Sequence, residues 1–263
     1  MKHMITHLNS RLRAGFLTTT LGLAALSAPV FGTVLFSDAF DYSDGVLLKD
    51  QDGWEATDSG TNLLTIKNGA VSFSQGGGVT ASFGSLSSGT FYVGFDISVS
   101  SATSASTYGD YFISLRDDGG ATLTVRIKPD GDKGFLLGTR GAGTGYTTVD
   151  WGSESYSFTT TYRLVFEYTF SVNDSDDMAT LYVDNSAIST HAISHKSVSL
   201  VGLYSNTTGV TSLTLDNLVV ATTFAETLAM PSSVPEPTAY AAIIGGLALA
   251  GMLVARRRRA VRK

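Results

Sequence analysis

The sequence has no cysteine. That excludes thiol catalysis, thiolate metal sites and c-type haem attachment. It also means that core burial, not disulfides, must hold the fold, and the roughly 200 residues between the two ends are enough for that. Histidine is scarce: His3 and His7 sit near the N-terminus, and His191 and His195 are four residues apart. On a strand that last pair would share a face about 13 Å apart at ~3.3 Å per residue, too far to grip one metal. Glutamate is scarce as well. Between residues 33 and 233 there are only Glu55, Glu154, Glu167 and Glu226, none with another carboxylate two positions along a strand. The acid pair that a glycosidase sets across its scissile bond is therefore missing. Gly76-Gly77-Gly78 precedes no helical pattern, so it does not read as a phosphate loop. Positive charge is short in the middle of the chain. Of 18 basic residues, three lie in the first 13 positions and six in the last eight. Nine remain against 22 of the 23 acidic residues, a net charge near −13. A surface this acidic repels phosphate backbones, so nucleic acid is not an expected partner.

Both ends carry apolar segments. At the N-terminus, Lys2, Arg11 and Arg13 precede the uncharged stretch Ala14–Ala28, and Gly32 closes a run of small residues. This is the layout of a secretory signal peptide over residues 1–32, with cleavage after Gly32 and a rival site after Ser27. The partners it implies are a secretion translocase and a signal peptidase. At the C-terminus, Val234-Pro235-Glu236-Pro237-Thr238 is followed by an uncharged run, Tyr240–Ala255, and then by Arg256, Arg257, Arg258 and Arg259. The sixteen-residue run as a helix covers roughly 24 Å, slightly short of a bilayer core of about 30 Å. Tyr240 and the arginine stems can make up the rest at the interfaces. The arginine cluster, with Arg262 and Lys263, anchors the end in the cytoplasm and puts everything before Val234 across the membrane.

This tail resembles the PEP-CTERM sorting signal of bacterial surface proteins. The resemblance covers residues 234–263, with the motif at 234–238, a transmembrane helix at 240–255 and a basic tail at 256–263. It implies processing by an exosortase-like membrane enzyme. The passenger would be held briefly at the inner membrane and then delivered to the cell envelope, cell surface or extracellular matrix.

The middle of the chain reads as β throughout. Phe91, Val93, Phe95, Ile97 and Val99 alternate with polar or small residues, and so do Tyr162, Leu164, Phe166, Tyr168 and Phe170. Period 2 over nine residues predicts strands with one buried face. About ten shorter candidates lie between Thr33 and Val220, separated by turn sequences such as Asp117-Asp118-Gly119-Gly120 and Pro129-Asp130-Gly131-Asp132. So many short strands predict an all-β, two-sheet jelly-roll sandwich over residues 33–223, with a linker at 224–233. Phe36–Trp54, Tyr162–Asn185 and Leu213–Val220 resemble the first strand, central hairpin and last strand of laminin-G/concanavalin-like jelly rolls. The resemblance implies that the last strand pairs with the first.

That pairing would bring Asp38, Asp41 and Asp216 together, so Ca²⁺ is the cofactor to consider, since hard oxygen ligands suit it. The competing roles are loop solvation for Asp38 and Asp41, and a turn or bulge for Asp216. Aromatic residues in or beside loops, Trp54, Trp151, Tyr108, Tyr111 and Tyr146, could stack on sugars. Tyr146 and Trp151 lead because Gly145 and Gly152 keep their surroundings open. The expectation is an exported, sorted protein whose passenger is no enzyme and serves a structural, matrix or glycan-associated role, with extracellular polysaccharide as partner. The alternative is a lectin-like module or a carbohydrate-active enzyme.

Overall fold

A computed structural model describes residues 32–57, 64–73, 76–103, 106–117, 119–141, 148–172, 177–193, 197–205 and 212–228. The secretion and sorting segments, Tyr146 and His195 lie outside these residues.

The chain forms fifteen strands among the described residues, in two antiparallel sheets. They are β1 (Val34–Asp38), β2 (Trp54–Ala56), β3 (Thr65–Lys67), β4 (Ala70–Ser72), β5 (Gly77–Leu86), β6 (Thr90–Ser101), β7 (Asp110–Asp117), β8 (Gly120–Pro129), β9 (Phe135–Gly141), β10 (Asp150–Trp151), β11 (Thr161–Thr169), β12 (Asp177–Val183), β13 (Ser186–Ile193), β14 (Val198–Ser205) and β15 (Ser212–Ala221). One short helix, α1 (Phe224–Leu228), follows. Sheet A runs β13-β12-β11-β6-β15-β4-β3, with β1 also on β15, and sheet B runs β10-β9-β8-β7-β14-β5-β2. The expected all-β two-sheet sandwich is what the chain adopts.

The alternation explains the layering. Phe91, Val93, Phe95, Ile97 and Val99 of β6 are all buried, as are Leu123, Val125 and Ile127 of β8. They meet between the sheets, and each fully buried Phe or Ile contributes about 1.5–3 kcal/mol. β11 and β12 pair as the expected hairpin. β7 pairs with β8 across Asp117–Gly120, and β8 pairs with β9 across the turn where Asp130 N–H donates to Gly134. β1 pairs with β15, Asp38 standing opposite Leu218. Trp54, one of the loop aromatics, is instead a buried residue of β2, its indole N–H donating to Asp38 at 2.7 Å. Short edge strands β2 and β10, and β13, were not legible as strands, because their sequences have too few apolar residues in alternation.

Residues 224–228 of the expected linker form α1, which packs on the outer face of sheet A. Phe224 sits edge-on to Tyr92 and Tyr182. Thr227 lies over Gly94, where a β-carbon would meet the Thr227 side chain at 2.7 Å. A side chain at Gly94 would push the helix away.

Candidate functional site

Strand pairing gives the two outer faces different chemistry. On sheet A, Arg163 (β11), Asp96 (β6) and Asp216 (β15) stand side by side across three strands. Arg163 donates to Asp96 at 3.2 Å, to the Asn217 carbonyl and to the Thr227 carbonyl of α1. Asn217, at φ +52°, forms a bulge between Asp216 and Val219, and its amide side chain donates to Asp96 at 2.8 Å. Asp216 accepts from the Asn217 backbone N–H at 2.7 Å, which is the bulge role. Burial first, then the negative fields of Asp96, Asp41 and Asp38, push the Asp216 carboxyl above its ordinary range.

Asp38 accepts from Phe40 N–H, Tyr42 O–H and Trp54 Nε1–H at 2.7–2.9 Å, which fixes the first loop. Asp38 and Asp41, two of the three residues considered for calcium, act through their charges on the third, Asp216. Among the described residues no group of three or more His, Cys, Asp or Glu could hold a metal ion.

The outer face of sheet B is cationic and aromatic. Register places Tyr111 (β7) opposite Arg126 (β8), Arg126 opposite Gly138 (β9), and Gly138 opposite Trp151 (β10). Tyr204 of β14 stacks on Tyr111, with ring centroids 4.6 Å apart and planes 10° from parallel. The row from Tyr204 to Trp151 crosses four strand intervals, about 19 Å at ~4.8 Å each. A second row beside it contains Gly202, Ser114, Thr124 and Arg140. Arg116 lies beyond, opposite Leu200.

Three of the four cations lie over aromatic rings. Arg126 lies 5.3 Å from the Tyr111 centroid, Lys128 lies 4.4 Å from that of Trp151, and Arg140 lies 5.1 Å from that of Tyr108. Arg126 is only 9% exposed and donates to Thr124 Oγ1 and to the carbonyls of Tyr108 and Gly109 at 3.0–3.2 Å. Burial first, then the nearby Arg140, lowers its guanidinium to about 10, opposed by Tyr111 and Asp110, so it stays charged at neutral pH. Burial and the stacked Tyr204 push the Tyr111 phenol up to about 12, against the pull of Arg116 and Arg126.

Glycines make room for this layer. A β-carbon on Gly138 would meet the Trp151 ring at 2.8 Å, and one on Gly202 would meet Arg116 and Ser114 at 2.8 Å. Trp151 is therefore half-buried over Gly138 with Lys128 beside it, one end of a row and not an isolated platform. Of the expected glycan residues, Trp151 belongs to this face and Tyr146 lies outside the described residues. Sequence reading missed Tyr204, Arg116, Arg126, Lys128 and Arg140. The signal was available in the alternation of Arg126 and Lys128 with Val125 and Ile127, which marks them as outward-facing.

No protein-family model matches the chain, and no curated protein matches it in sequence. Solved structures do match in shape. An alginate lyase, Aly36B, solved as a mutant with an alginate trisaccharide, superposes at TM-score 0.53 and 12% identity, covering 70% of this chain and 96% of that one. Weaker likenesses are the Emp47p carbohydrate recognition domain (TM-score 0.44, 12% identity, 74% and 98% covered) and the carbohydrate-binding module CBM66 of Bacillus subtilis (0.43, 14%, 64% and 94%). The first of these corrects one expectation. The passenger was expected to be no enzyme because paired glutamates are missing, yet a polysaccharide-cleaving enzyme has this fold. Missing the glycosidase acid pair excludes one mechanism, not catalysis in general. At 12% identity the likeness to the alginate lyase is one of fold.

Proposed function

We propose that the chain is an exported envelope protein, sorted through its 234–263 tail by an exosortase-like enzyme, whose β-sandwich associates with extracellular polysaccharide. The observation that carries the glycan part is the outer face of sheet B, where Tyr111, Tyr204 and Trp151 share a surface with four cations. Rings supply stacking surface for sugars, and flanking cationic groups supply directed hydrogen bonds. The shared fold of a solved alginate lyase supports the same reading at the level of architecture. The sorting part rests on the order motif, apolar run and arginine cluster, together with the signal-like residues 1–32.

The two parts have separate tests. Changing Pro235, Glu236 and Pro237 together to Ala should leave an uncut, membrane-retained protein by fractionation and blotting; normal cutting and delivery would refute the sorting. The purified protein should be retarded in gels cast with polysaccharide, and Tyr111→Ala should abolish the retardation. The eluted polysaccharide is then sized, since shortened chains would assign the sandwich to the enzymes.

A further inference from the structure

The cations on sheet B form a line, and a line selects a polymer. Lys128 and Arg126 are two residues apart on the outer face of β8. Arg140 stands opposite Thr124, the next outward position, and Arg116 stands opposite Ala121 near the end of the strand. Along β8 the charges fall at positions 128, 126, 124 and 121, about 7, 7 and 10 Å apart at ~3.3 Å per residue, with Arg140 on the strand to one side and Arg116 on the strand to the other. They are four of the nine basic residues left in a body of net charge near −13. Concentrating them on one face of an acidic molecule costs self-repulsion, and Arg140 is indeed a cause of the depressed Arg126 proton affinity. The fold returns part of that cost, since Arg126 donates to a hydroxyl and two backbone carbonyls and lies over the Tyr111 ring; a bound polyanion would return more.

A partner that repays it must carry repeated negative charge, with flat faces between the charges for Tyr111, Tyr204 and Trp151. Resting on the glycan reading above, we propose that this face binds a polyuronate, a polysaccharide with a carboxylate on its sugar units. The polymer lies along β8 with its acid groups on Lys128, Arg126, Arg140 and Arg116. Planar guanidinium forks match carboxylates through paired hydrogen bonds. The rest of the acidic surface repels the same polymer and confines it to this face.

The test uses the full-length protein in detergent and titrates it calorimetrically with polygalacturonate, its fully methyl-esterified form, dextran sulfate and a single-stranded DNA oligonucleotide. Polygalacturonate should bind, weakening at least tenfold on methyl esterification and at least tenfold between 50 and 500 mM salt, as expected for screened charges. Arg126→Gln should weaken binding at least tenfold. Lys128→Gln, on a half-buried side chain that the fold tolerates losing, should weaken it three- to tenfold. Equal binding of the methyl ester would overturn the polyuronate while leaving a neutral-glycan function standing. Equal binding of dextran sulfate or DNA would overturn it in favour of a general polyanion surface. Binding of no polysaccharide, with the fold intact by circular dichroism, would refute the glycan function itself.

Discussion

The outer faces of the two sheets start from the same rule and finish differently. Both sheets bury every second residue, and both present charged and aromatic side chains outward. On sheet A the charges answer one another: Arg163 meets Asp96, Asn217 and the carbonyl end of α1, and Tyr182 donates to Glu167 at 2.8 Å. The helix then covers the patch. On sheet B, Arg126, Lys128 and Arg140 lie over aromatic rings, and the absence of side chains at Gly138 and Gly202 makes room for Trp151, Arg116 and Ser114. One face pairs its charges with each other, and the other sets its cations on rings.

Exchanging charges on the two faces should break this comparison in the sharpest way. Arg163→Met leaves Asp96, only 13% exposed, without its cation, and frees α1. A loss of about 2–4 kcal/mol is expected from the cost of orphaning a buried charge. Arg126→Gln removes a charge that burial penalises but gives up its hydrogen bonds to Thr124 and two backbone carbonyls, so a smaller loss of about 1–2 kcal/mol is expected. Urea midpoints of the two variants check both values, and equal losses would erase the distinction between a structural and a ligand-directed face.

Tyrosine titration should show the contrast next. On sheet A, burial first and then Glu167 raise the Tyr182 phenol to about 12. On sheet B, Tyr111 reaches about 12 in spite of two arginines that lower it. Glu167→Gln should therefore move one tyrosinate absorbance step down in pH, and Arg126→Gln should move one up. In both cases the folded state keeps phenolic protons that the unfolded chain releases near 10. The stability they contribute is complete below about pH 10 and is lost as pH rises towards 12. Denaturant midpoints measured at pH 9, 10 and 11 should fall in that order.

The smallest effect belongs to Asp216. Its folded carboxyl is raised by burial and by its acidic neighbours, so the folded state holds the proton more tightly than the unfolded. Its favourable contribution exists at low pH and is lost as pH rises through the raised value. Asp216→Asn keeps an acceptor for the Asn217 N–H and removes the repulsion. A gain of a few tenths of a kcal/mol is expected at pH 7, about the size of a screened surface charge effect, and none at pH 3. A gain that persisted at pH 3 would point to packing instead.

The strands that could be read from sequence are those where one face is wholly apolar. Phe91–Val99 and Tyr162–Phe170 announce themselves because one face must reach the core. β2 and β10, three and two residues long, carry too little alternation to stand out, and each is a strand because a longer neighbour offers it a free edge. Trp54 looked like a loop aromatic and is core, since Asp38, sixteen positions away, accepts its indole N–H. The sugar-facing guess at Trp151 came from local openness. Its real companions, Tyr111, Tyr204, Arg126 and Lys128, lie on three other strands and share a surface only through register.

By itself, the sequence determined the class of fold, the lack of thiol chemistry and the acidic character of the body. Each follows from composition or from local period, which need no knowledge of what lies opposite. Only the tertiary structure decided which outward residues became neighbours. Arg163 and Asp96 are 67 positions apart and Tyr111 and Tyr204 are 93 apart, and strand pairing alone brings them together. The same pairing placed Asp216 beside Asp96 at a bulge and gathered four scarce cations on β7, β8 and β9. Alternation fixes which face a side chain takes, but its partners on that face depend on strand order and register, and those are set when the two sheets close over a common core.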